Sequence, residues 1–345
     1  RESTTEEDEI WFNYINKVMP YPQEREFLMK VLSSCLRGET LENFIMLLGR
    51  GRNSKDTLIT SNLKKVLGGY YRLGSLSAIT KELEQDNGSS NTELANMSKK
   101  RVIIYSEPSK YKSLRASNIK KLTGSRQITA RRLYSSVDNN CYLQGTHIML
   151  SQEEATIDNP DNAIACRLIK IPFRSQFRTQ EVLDKLPEGT EHYYLVNSYY
   201  KSDKFMEDVK YAFINALLKS YKDFRDDGYI IRNVPESIEN LTKEFLNECD
   251  EFKTWFDEHY IRVDDNKKFL KIKAIYNNYK QSDLYENLSK FNKRKCTYSG
   301  FQKTLSSNPD LAPYIKTLKQ VDKKRYRNIL LNYIEKPEED SDDEY

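Results

Sequence analysis

The sequence has few of the residues that build metal centres and disulfide frameworks. Its 345 residues include three histidines, His147, His192 and His259, which are far apart and give no basis for a zinc site. The five cysteines are odd in number, widely scattered and without C-x-x-C spacing, so we expect reduced and mostly buried thiols. Both absences argue against a zinc module and against a disulfide-rich secreted domain.

Long apolar runs are also missing. No run approaches the roughly 20 apolar residues that cross a bilayer, so the sequence predicts no membrane partner. Residues 1–9 are polar and acidic and lack the apolar region of a signal peptide. We therefore expect an intracellular protein, long enough for two or three domains and a large core.

Charge is distributed unevenly along the chain. The totals nearly balance, with 55 Lys and Arg against 51 Asp and Glu, but residues 99–134 contain eleven basic residues and a single acid, Glu107. Residues 6–9 and 338–344 are acidic instead. A basic block in a near-neutral chain predicts a polyanion partner, and a solvated helix face is the alternative interpretation.

The motif that organises the chain is FIMLLGRGRNSKDTLI, residues 44–59. An apolar run typical of a buried strand ends in a glycine-containing turn with Lys55 and Thr57, and an amphipathic helical segment follows at residues 58–67. This order predicts a phosphate-binding loop, in which backbone N–H groups, a helix N-terminus and a lysine hold an anion. Ser54 and Asp56 depart from the usual G-x-x-x-x-G-K-[ST] pattern, which has glycine before the lysine and a hydroxyl after it.

Two further apolar runs end in polar residues that suit the same chemistry. Residues 101–106 lead to Glu107, which can orient an attacking water and help to hold Mg²⁺, although a surface glutamate is equally compatible with the pattern. Residues 146–150 lead to Gln152. Strands that alternate with helices predict an α/β layered sheet with ligands at the carboxyl ends of its strands, where Lys55, Glu107 and Gln152 would all lie.

Beyond about residue 186 the sequence has mainly helical periodicity. The signal is strongest at residues 205–224 and continues at 235–259 and 268–279, whereas strand signals are weak. We therefore expect a mainly helical C-terminal region that ends in an acidic, disordered tail.

Taken together, these motifs resemble those of one family. GRGRNSKD (49–56) is similar to G-x-G-x-N-G-K-[ST], and KKLTGSRQITARRLY (120–134) resembles a signature with Gly and Asp at the positions of Ser125 and Arg126. Residues 163–177 match a closing Ala-Ile-x-x-Arg-Leu-x-x-Ile-Pro-Phe-x-x-x-Phe pattern. In this order, the chain resembles the superfamily 3 helicases, and more narrowly the helicase part of the primase–helicase ATPases of poxviruses and other large DNA viruses.

The resemblance implies an α/β fold with a P-loop AAA+-type ATPase core, a helical N-terminal lead-in and a mainly helical C-terminal region. The implied division is a helical collar at 1–40, the helicase core at 41–185, a helical lid at 186–260, a small DNA-binding region at 261–335 with a winged helix as candidate fold, and the acidic tail at 336–345.

It also implies an ATP-driven DNA helicase with Mg²⁺, forming a hexameric ring that moves on single-stranded DNA during replication of a viral or plasmid-like genome. The replicative primase and polymerase are candidate partners, and a viral protein would work in the host cytoplasm or nucleus.

The implied catalytic residues are Lys55, Glu107, Gln152 as the sensor, and Arg167 as an arginine finger for the neighbouring subunit. The implied nucleotide-binding residues are Gly49, Arg50, Gly51, Arg52, Asn53, Ser54, Lys55, Asp56 and Thr57; those for metal are Asp56, Thr57 and Glu107; those for DNA are Lys120, Lys121, Arg126, Arg131 and Arg132.

Two other functions stay open from the sequence. Because Ser54, Asp56 and Gln152 depart from the family pattern, the chain could be a catalytically weakened ring that binds DNA or a replication partner without productive hydrolysis. A monomeric nucleotide kinase would use the same kind of loop, but it would need neither an arginine finger nor an oligomer.

Overall fold

A computed structural model of the chain describes Arg1–Tyr345 except residues 82–91, 107–112, 126, 131–138, 154, 159, 288–292, 295, 309, 322–323 and 338–345. At residues 128–130, 139–140 and 307 it describes the backbone alone. The chain divides into two compact units. Unit 1 comprises Arg1–Asp158 and Ala163–Glu244, and unit 2 comprises Asn159–Asn162 and Phe245–Tyr345. The five-part division expected from the sequence stays a prediction.

Unit 1 alternates helices and strands. Its strands are β1 Phe44–Leu48, β2 Tyr71–Leu73, β3 Val102–Ser106, β4 Leu114–Arg115, β5 Gln127–Ala130, β6 Asn139–Tyr142, β7 Thr146–Ser151, β8 Ile157–Asp158, β9 Leu168–Pro172, β10 Gln176–Arg178 and β11 Tyr193–Leu195. Its helices are α1 Thr5–Val18, α2 Pro22–Ser34, α3 Lys64–Leu67, α4 Ser77–Thr80, α5 Thr92–Met97, α6 Ala116–Gly124, α7 Asn162–Ala165, α8 Gln180–Leu183, α9 Asp203–Asp208, α10 Lys210–Asp226 and α11 Glu236–Cys249. The first residue of α7 and the last five of α11 are counted with unit 2.

The centre of unit 1 is a parallel sheet in the order β2-β3-β7-β1-β9. Phe44 of β1 pairs in register with His147 of β7 on one side and with Leu168 of β9 on the other. The strands are short apolar runs because both faces of the sheet are buried, as expected for parallel strands. The α/β class predicted from the sequence is confirmed, and the structure shows that the sheet is parallel.

One face of the sheet belongs to the main core of unit 1. Ile45 and Leu47 of β1 pack there with buried residues of α1, α2 and α10. N-terminal helix α1 starts at a capping box, in which Thr4 and Glu7 satisfy each other's backbone N–H groups. The helical lead-in is therefore part of the core on which the sheet is built.

The opposite face of the sheet contains a buried polar pair. Tyr105 of β3 and His147 of β7 share a hydrogen bond of 2.9 Å, and both side chains are inaccessible to solvent. Burial lowers the pKa of His147 to about 4, because an imidazolium would lose its hydration there.

This histidine predicts a pH-dependent stability. Below its ordinary pKa of 6.5 the unfolded chain takes up a proton that the folded chain refuses, so the free energy of unfolding should fall as the pH drops from about 6.5 to about 4. The slope due to this group should be about 1.4 kcal/mol per pH unit. Urea unfolding of the wild type and His147→Gln at pH 5 and pH 6 measures it. From pH 5 to pH 6 the free energy of unfolding of the wild type should rise by about 1 kcal/mol more than that of the variant. Equal rises would contradict the assignment.

The helix expected after the phosphate loop forms, but not as one regular helix. Thr57–Leu63 is a π-helix, which continues into α3. The side chain of Asn62 donates to the Thr57 carbonyl at 3.1 Å, and a side chain inserted into the backbone ladder is a known cause of such irregularity. The helix predicted over residues 205–224 is likewise divided, into α9 and α10.

Unit 2 combines α-helices with strands. The helices are α12 Glu251–His259, α13 Ile272–Tyr279, α14 Asp283–Glu286 and α15 Tyr298–Ser307; the strands are β12 Tyr260–Arg262, β13 Phe269–Lys271, β14 Ile315–Val321, β15 Lys324–Leu331 and β16 Tyr333–Glu335. An antiparallel sheet has the order β13-β15-β14, and β12 pairs with β16. Helical residues outnumber strand residues in the described part of the chain beyond residue 186, but the strands of unit 2 were not expected. The helix expected at 268–279 begins instead with β13.

The core of unit 2 is built from both kinds of element. Phe256 of α12, Ile275 of α13, Leu305 of α15 and Leu330 of β15 are fully buried in one cluster. In the part of the chain that the structure describes, each helix is too short or too polar to cross a bilayer.

Candidate phosphate-binding site

The candidate loop, residues 49–57, follows β1 at the carboxyl edge of the sheet of unit 1. Gly49 is required there by close contact, because an added Cβ would lie 2.4 Å from the Phe173 carbonyl oxygen and 2.4 Å from Asn53 Nδ2. A Cβ on Gly51 would lie 2.9 Å from Oε1 of Gln152. The loop therefore packs directly against residues that follow the neighbouring strands β9 and β7.

The lysine of the loop points inward. Lys55 is only 2% exposed, and its Nζ donates to the carbonyl of Ser151 at the end of β7 and to the Gly49 carbonyl at 3.4 Å. Gly49 N–H also donates to the Ser151 carbonyl, at 3.2 Å. The structure thus brings Lys55, Gly51 and Gln152 together at the carboxyl edge of the sheet, as the sequence predicted for Lys55 and Gln152.

Asn53 adds an unsatisfied donor to the loop. Its Oδ1 accepts from the Lys55 N–H at 3.1 Å, whereas its buried Nδ2 has no hydrogen-bond partner within the described part of the chain. Buried donors rarely remain without an acceptor. An anion on the loop would supply one, so the donor set fits a phosphate group.

The backbone of the loop has an unusual conformation. Arg52 and Ser54 have φ values of 68° and 63°, in the left-handed region that side chains disfavour. The carbonyl of Arg52 accepts from Phe177 N–H at 2.8 Å, and that of Ser54 accepts from the Tyr14 hydroxyl at 3.3 Å. Ser54 thus adopts a conformation that the glycine of the usual motif would adopt without strain.

Asp56 and Thr57 lie at the start of the helical segment after the loop. Asp56 is exposed, whereas Thr57 is buried. Carboxylate and hydroxyl oxygens are ligands that Mg²⁺ accepts, so these two residues fit a magnesium ion beside a bound phosphate. Arg50 and Arg52 are also exposed and add positive charge to the loop.

Arg167 lies elsewhere in unit 1. It immediately precedes β9, whose first residue pairs with Phe44 at the beginning of β1. The five residues of β1 separate it from the loop by about 16 Å along the strand direction. Its Nη1 donates to the Ala163 carbonyl at 2.7 Å, and its buried Nε has no hydrogen-bond partner among the described residues. The structure therefore does not bring Arg167 to the loop of its own chain.

The residues predicted to bind DNA are only partly described. Lys120 and Lys121 are half-buried on α6. The first residue of this helix, Ala116, donates its N–H to Asp158 Oδ1 at 2.6 Å. Four residues predicted for the sites fall outside the described residues: Glu107, Arg126, Arg131 and Arg132. The roles of all the predicted site residues stay predictions.

Sequence reasoning missed three groups that shape the loop. They are the Ser151 carbonyl, the Phe177 N–H and the Tyr14 hydroxyl. Ser151 and Phe177 belong to segments that the sequence did single out, whereas Tyr14 is 40 residues away from Ser54, and no local pattern marks it.

Comparison with known proteins identifies relatives of the chain. No family model matches it. It is 31% identical over 286 residues to L207/L206 of Acanthamoeba polyphaga mimivirus, a protein that is named as a helicase by inference. The match covers 80% of this chain and 29% of that protein. Primase D5 of Fowlpox virus (strain NVSL) is 26% identical, over 63% of this chain and 27% of that protein. Uncoating factor OPG117 of Monkeypox virus is 28% identical, over 69% of this chain and 31% of that protein.

The chain is a homologue of these viral proteins. The resemblance to the helicases and primases of poxviruses and other large DNA viruses, drawn from the motifs, is thereby confirmed. The chain spans less than a third of the length of each of these three relatives.

Two solved structures resemble this helicase homologue distantly. The C-terminal region of NrS-1 in its apo form aligns with a TM-score of 0.49 and 13% identity, over 96% of this chain and 77% of that chain. The JCV helicase aligns with a TM-score of 0.37 and 12% identity, over 72% of this chain and 61% of that chain.

Proposed function

We propose that this helicase homologue is the ATP-driven motor part of a viral or plasmid-like DNA helicase, built on a P-loop AAA+-type core. One observation carries the proposal: buried Lys55 lies at the carboxyl edge of a parallel sheet, next to a glycine loop that packs against Gln152. Ligands of open α/β sheets bind at this edge. The relationship to viral helicases and primases supports nucleotide use.

The loop would bind the phosphates of ATP through groups of its own. The Lys55 ammonium and the loop N–H groups neutralise negative charge, and Asn53 Nδ2 offers a further donor. Asp56 and Thr57, together with Glu107, would hold Mg²⁺, which would neutralise charge on the phosphates when it is bound. Gln152 would orient a water molecule through its side-chain amide, at the position where it borders Gly51.

Arg167 would act on the nucleotide of a neighbouring subunit. Its position at the amino edge of the sheet separates it from its own loop, so it can reach an ATP molecule only where two copies of the chain meet. This supports a ring, with a hexamer as the proposed state, and ATP between subunits. An arginine in this position stabilises the charge of the transition state.

Basic groups of each unit would bind DNA. In unit 1, Lys120 and Lys121 of α6, together with Arg126, Arg131 and Arg132, would contact the phosphates of single-stranded DNA without reading its sequence. In unit 2, the helices and the sheet order β13-β15-β14 support a winged helix. Its strands β14 and β15 carry five Lys and Arg and no acid, so they favour a polyanion.

A second candidate function is a ring that binds DNA or a replication partner with little hydrolysis. The observation in its favour is the loop itself: Ser54 has the conformation suited to glycine, and exposed Asp56 places a carboxylate where phosphate would bind.

A double substitution separates the two functions. We would measure ATP hydrolysis by the wild type and by Ser54→Gly/Asp56→Ser, each with and without single-stranded DNA. The motor predicts DNA-stimulated hydrolysis by the wild type, changed only a few-fold by the double substitution. Undetectable hydrolysis by the wild type that the double substitution rescues would establish the weakened ring instead.

A further inference from the structure

The two left-handed residues of the loop are held by donors from outside it. Phe177 N–H bonds to the Arg52 carbonyl at 2.8 Å. The Ser54 carbonyl accepts from the Tyr14 hydroxyl at 3.3 Å and from the Leu58 N–H at 3.0 Å. A carbonyl that is held in this way fixes the orientation of the peptide that follows it. The peptide after Ser54 carries the N–H of Lys55, which donates to Asn53 Oδ1 at 3.1 Å within the candidate loop.

The two residues that supply these donors, Tyr14 and Phe177, both pack against a third aromatic ring. The ring of Tyr14 packs edge-on against Tyr200, with ring centroids 5.1 Å apart, and Phe177 packs edge-on against the same ring at 6.2 Å. We call Tyr14, Phe177 and Tyr200 the loop-supporting cluster. Because Tyr200 contacts both of the others, the cluster connects α1 and β10 to the two strained positions of the loop.

Tyr14 is suited to this contact by its surroundings. Its side chain is fully buried and also packs edge-on against Phe205 at 4.8 Å. Burial raises the pKa of Tyr14 above its ordinary value, so the hydroxyl stays protonated and donates throughout the physiological range. In the described structure, the main-chain oxygen of Ser54 is the acceptor of that donor.

We propose that Tyr14 is a positioning residue for nucleotide binding: its hydroxyl holds the strained Ser54 peptide and so helps to fix the backbone of the loop at Lys55 in the conformation that receives the phosphates. The inference rests on the function proposed above and adds a residue that no motif contains. It assigns to the N-terminal helix a direct part in preparing the nucleotide site, in addition to its part in the core.

Tyr14→Phe tests this, because it removes one oxygen atom and keeps the ring packing. We expect the KM for ATP to rise about fivefold, the change that one neutral hydrogen bond brings, while kcat stays the same, since the loop holds ground state and transition state alike. Amide hydrogen exchange at residues 49–57 of the nucleotide-free protein should accelerate by a similar factor.

Tyr199→Phe is the matched control. Tyr199 packs against Tyr200 and Phe205, and its hydroxyl donates to Asp208 at 2.6 Å, so this substitution also removes a tyrosine hydrogen bond from the same region without touching the loop. It should change neither KM nor exchange at residues 49–57. Both variants would be assayed at a temperature where circular dichroism shows them folded.

The outcomes separate the inference from the function on which it rests. Equal exchange at residues 49–57 in both variants and the wild type, with an unchanged KM, would overturn the role of Tyr14. A fall in kcat at an unchanged KM would also overturn it. A wild-type protein that binds no ATP would contradict the proposed function, while the exchange data would still decide whether Tyr14 fixes the loop.

Discussion

Lys55→Ala is expected to lower ATP hydrolysis at least about 100-fold, the order of loss that follows removal of one preorganised charge-stabilising group. Lys55 is buried at the carboxyl edge of the sheet, where its Nζ bonds to the carbonyls of Ser151 and Gly49. Both of these acceptors are main-chain carbonyls, and a bound phosphate would give the ammonium a charged partner. Steady-state hydrolysis at saturating ATP and Mg²⁺ measures the loss.

Two further variants separate the charge of Lys55 from its packing. Lys55→Met retains most of the aliphatic volume and should be as inactive as Lys55→Ala. Lys65→Ala is the control, because Lys65 is an exposed lysine of α3 that pairs with Glu207. This substitution should change the rate less than twofold. Activity of Lys55→Met within threefold of the wild type would show that ATP is not hydrolysed at this loop.

The second large effect is expected at Arg167. Arg167→Ala should lower kcat about 1,000-fold and change the affinity for ATP only a few-fold, because a finger acts on the charge of the transition state. The matched control is Arg37→Ala, which removes a half-buried arginine that pairs with Glu39 and packs on Tyr229. It should retain most of the activity.

Mixing two inactive proteins tests whether Arg167 acts between subunits. In a ring assembled from equal amounts of Lys55→Ala and Arg167→Ala, about a quarter of the interfaces combine an intact Lys55 with an intact Arg167. We therefore expect a clear recovery of hydrolysis on mixing. A finger that acted within its own chain would give no recovery, and that result would contradict the trans arrangement.

The centre of the site was predictable because local pattern and chemistry coincide there. The apolar run of β1, the glycines after it and Lys55 predicted a strand and a phosphate loop, and the structure has β1 at Phe44–Leu48. Gln152 was expected at a strand end and directly follows β7, which ends at Ser151. Buried parallel strands are easy to find in a sequence because they are apolar throughout.

The strands of unit 2 were missed for a physical reason. The basic residues in the first half of β15 are exposed, Tyr326 and Asn328 are half-buried, and the final Ile-Leu-Leu is buried. The strand therefore shows neither steady alternation nor a continuous apolar run. β13 is three residues long and runs directly into α13, so one helical periodicity covers both. Strands that are buried over only part of their length give a weak signal in the sequence.

The π-helix and the contact of Tyr14 were beyond sequence reasoning as well. The π-helix over Thr57–Leu63 accompanies one side-chain hydrogen bond from Asn62, and residue preferences do not reveal such a bond. Tyr14 reaches Ser54 across 40 residues, through the packing of α1 on the core. Contacts of this kind depend on tertiary structure rather than on local pattern.

The central claim is that residues 49–57 form the nucleotide site of a DNA-dependent motor. Its most direct test is the rate of ATP hydrolysis with and without single-stranded DNA, measured together with particle mass in the presence of nucleotide. We predict hydrolysis that single-stranded DNA stimulates, in particles of about six chains. Undetectable hydrolysis, or hydrolysis by single chains that ignore DNA, would contradict the account.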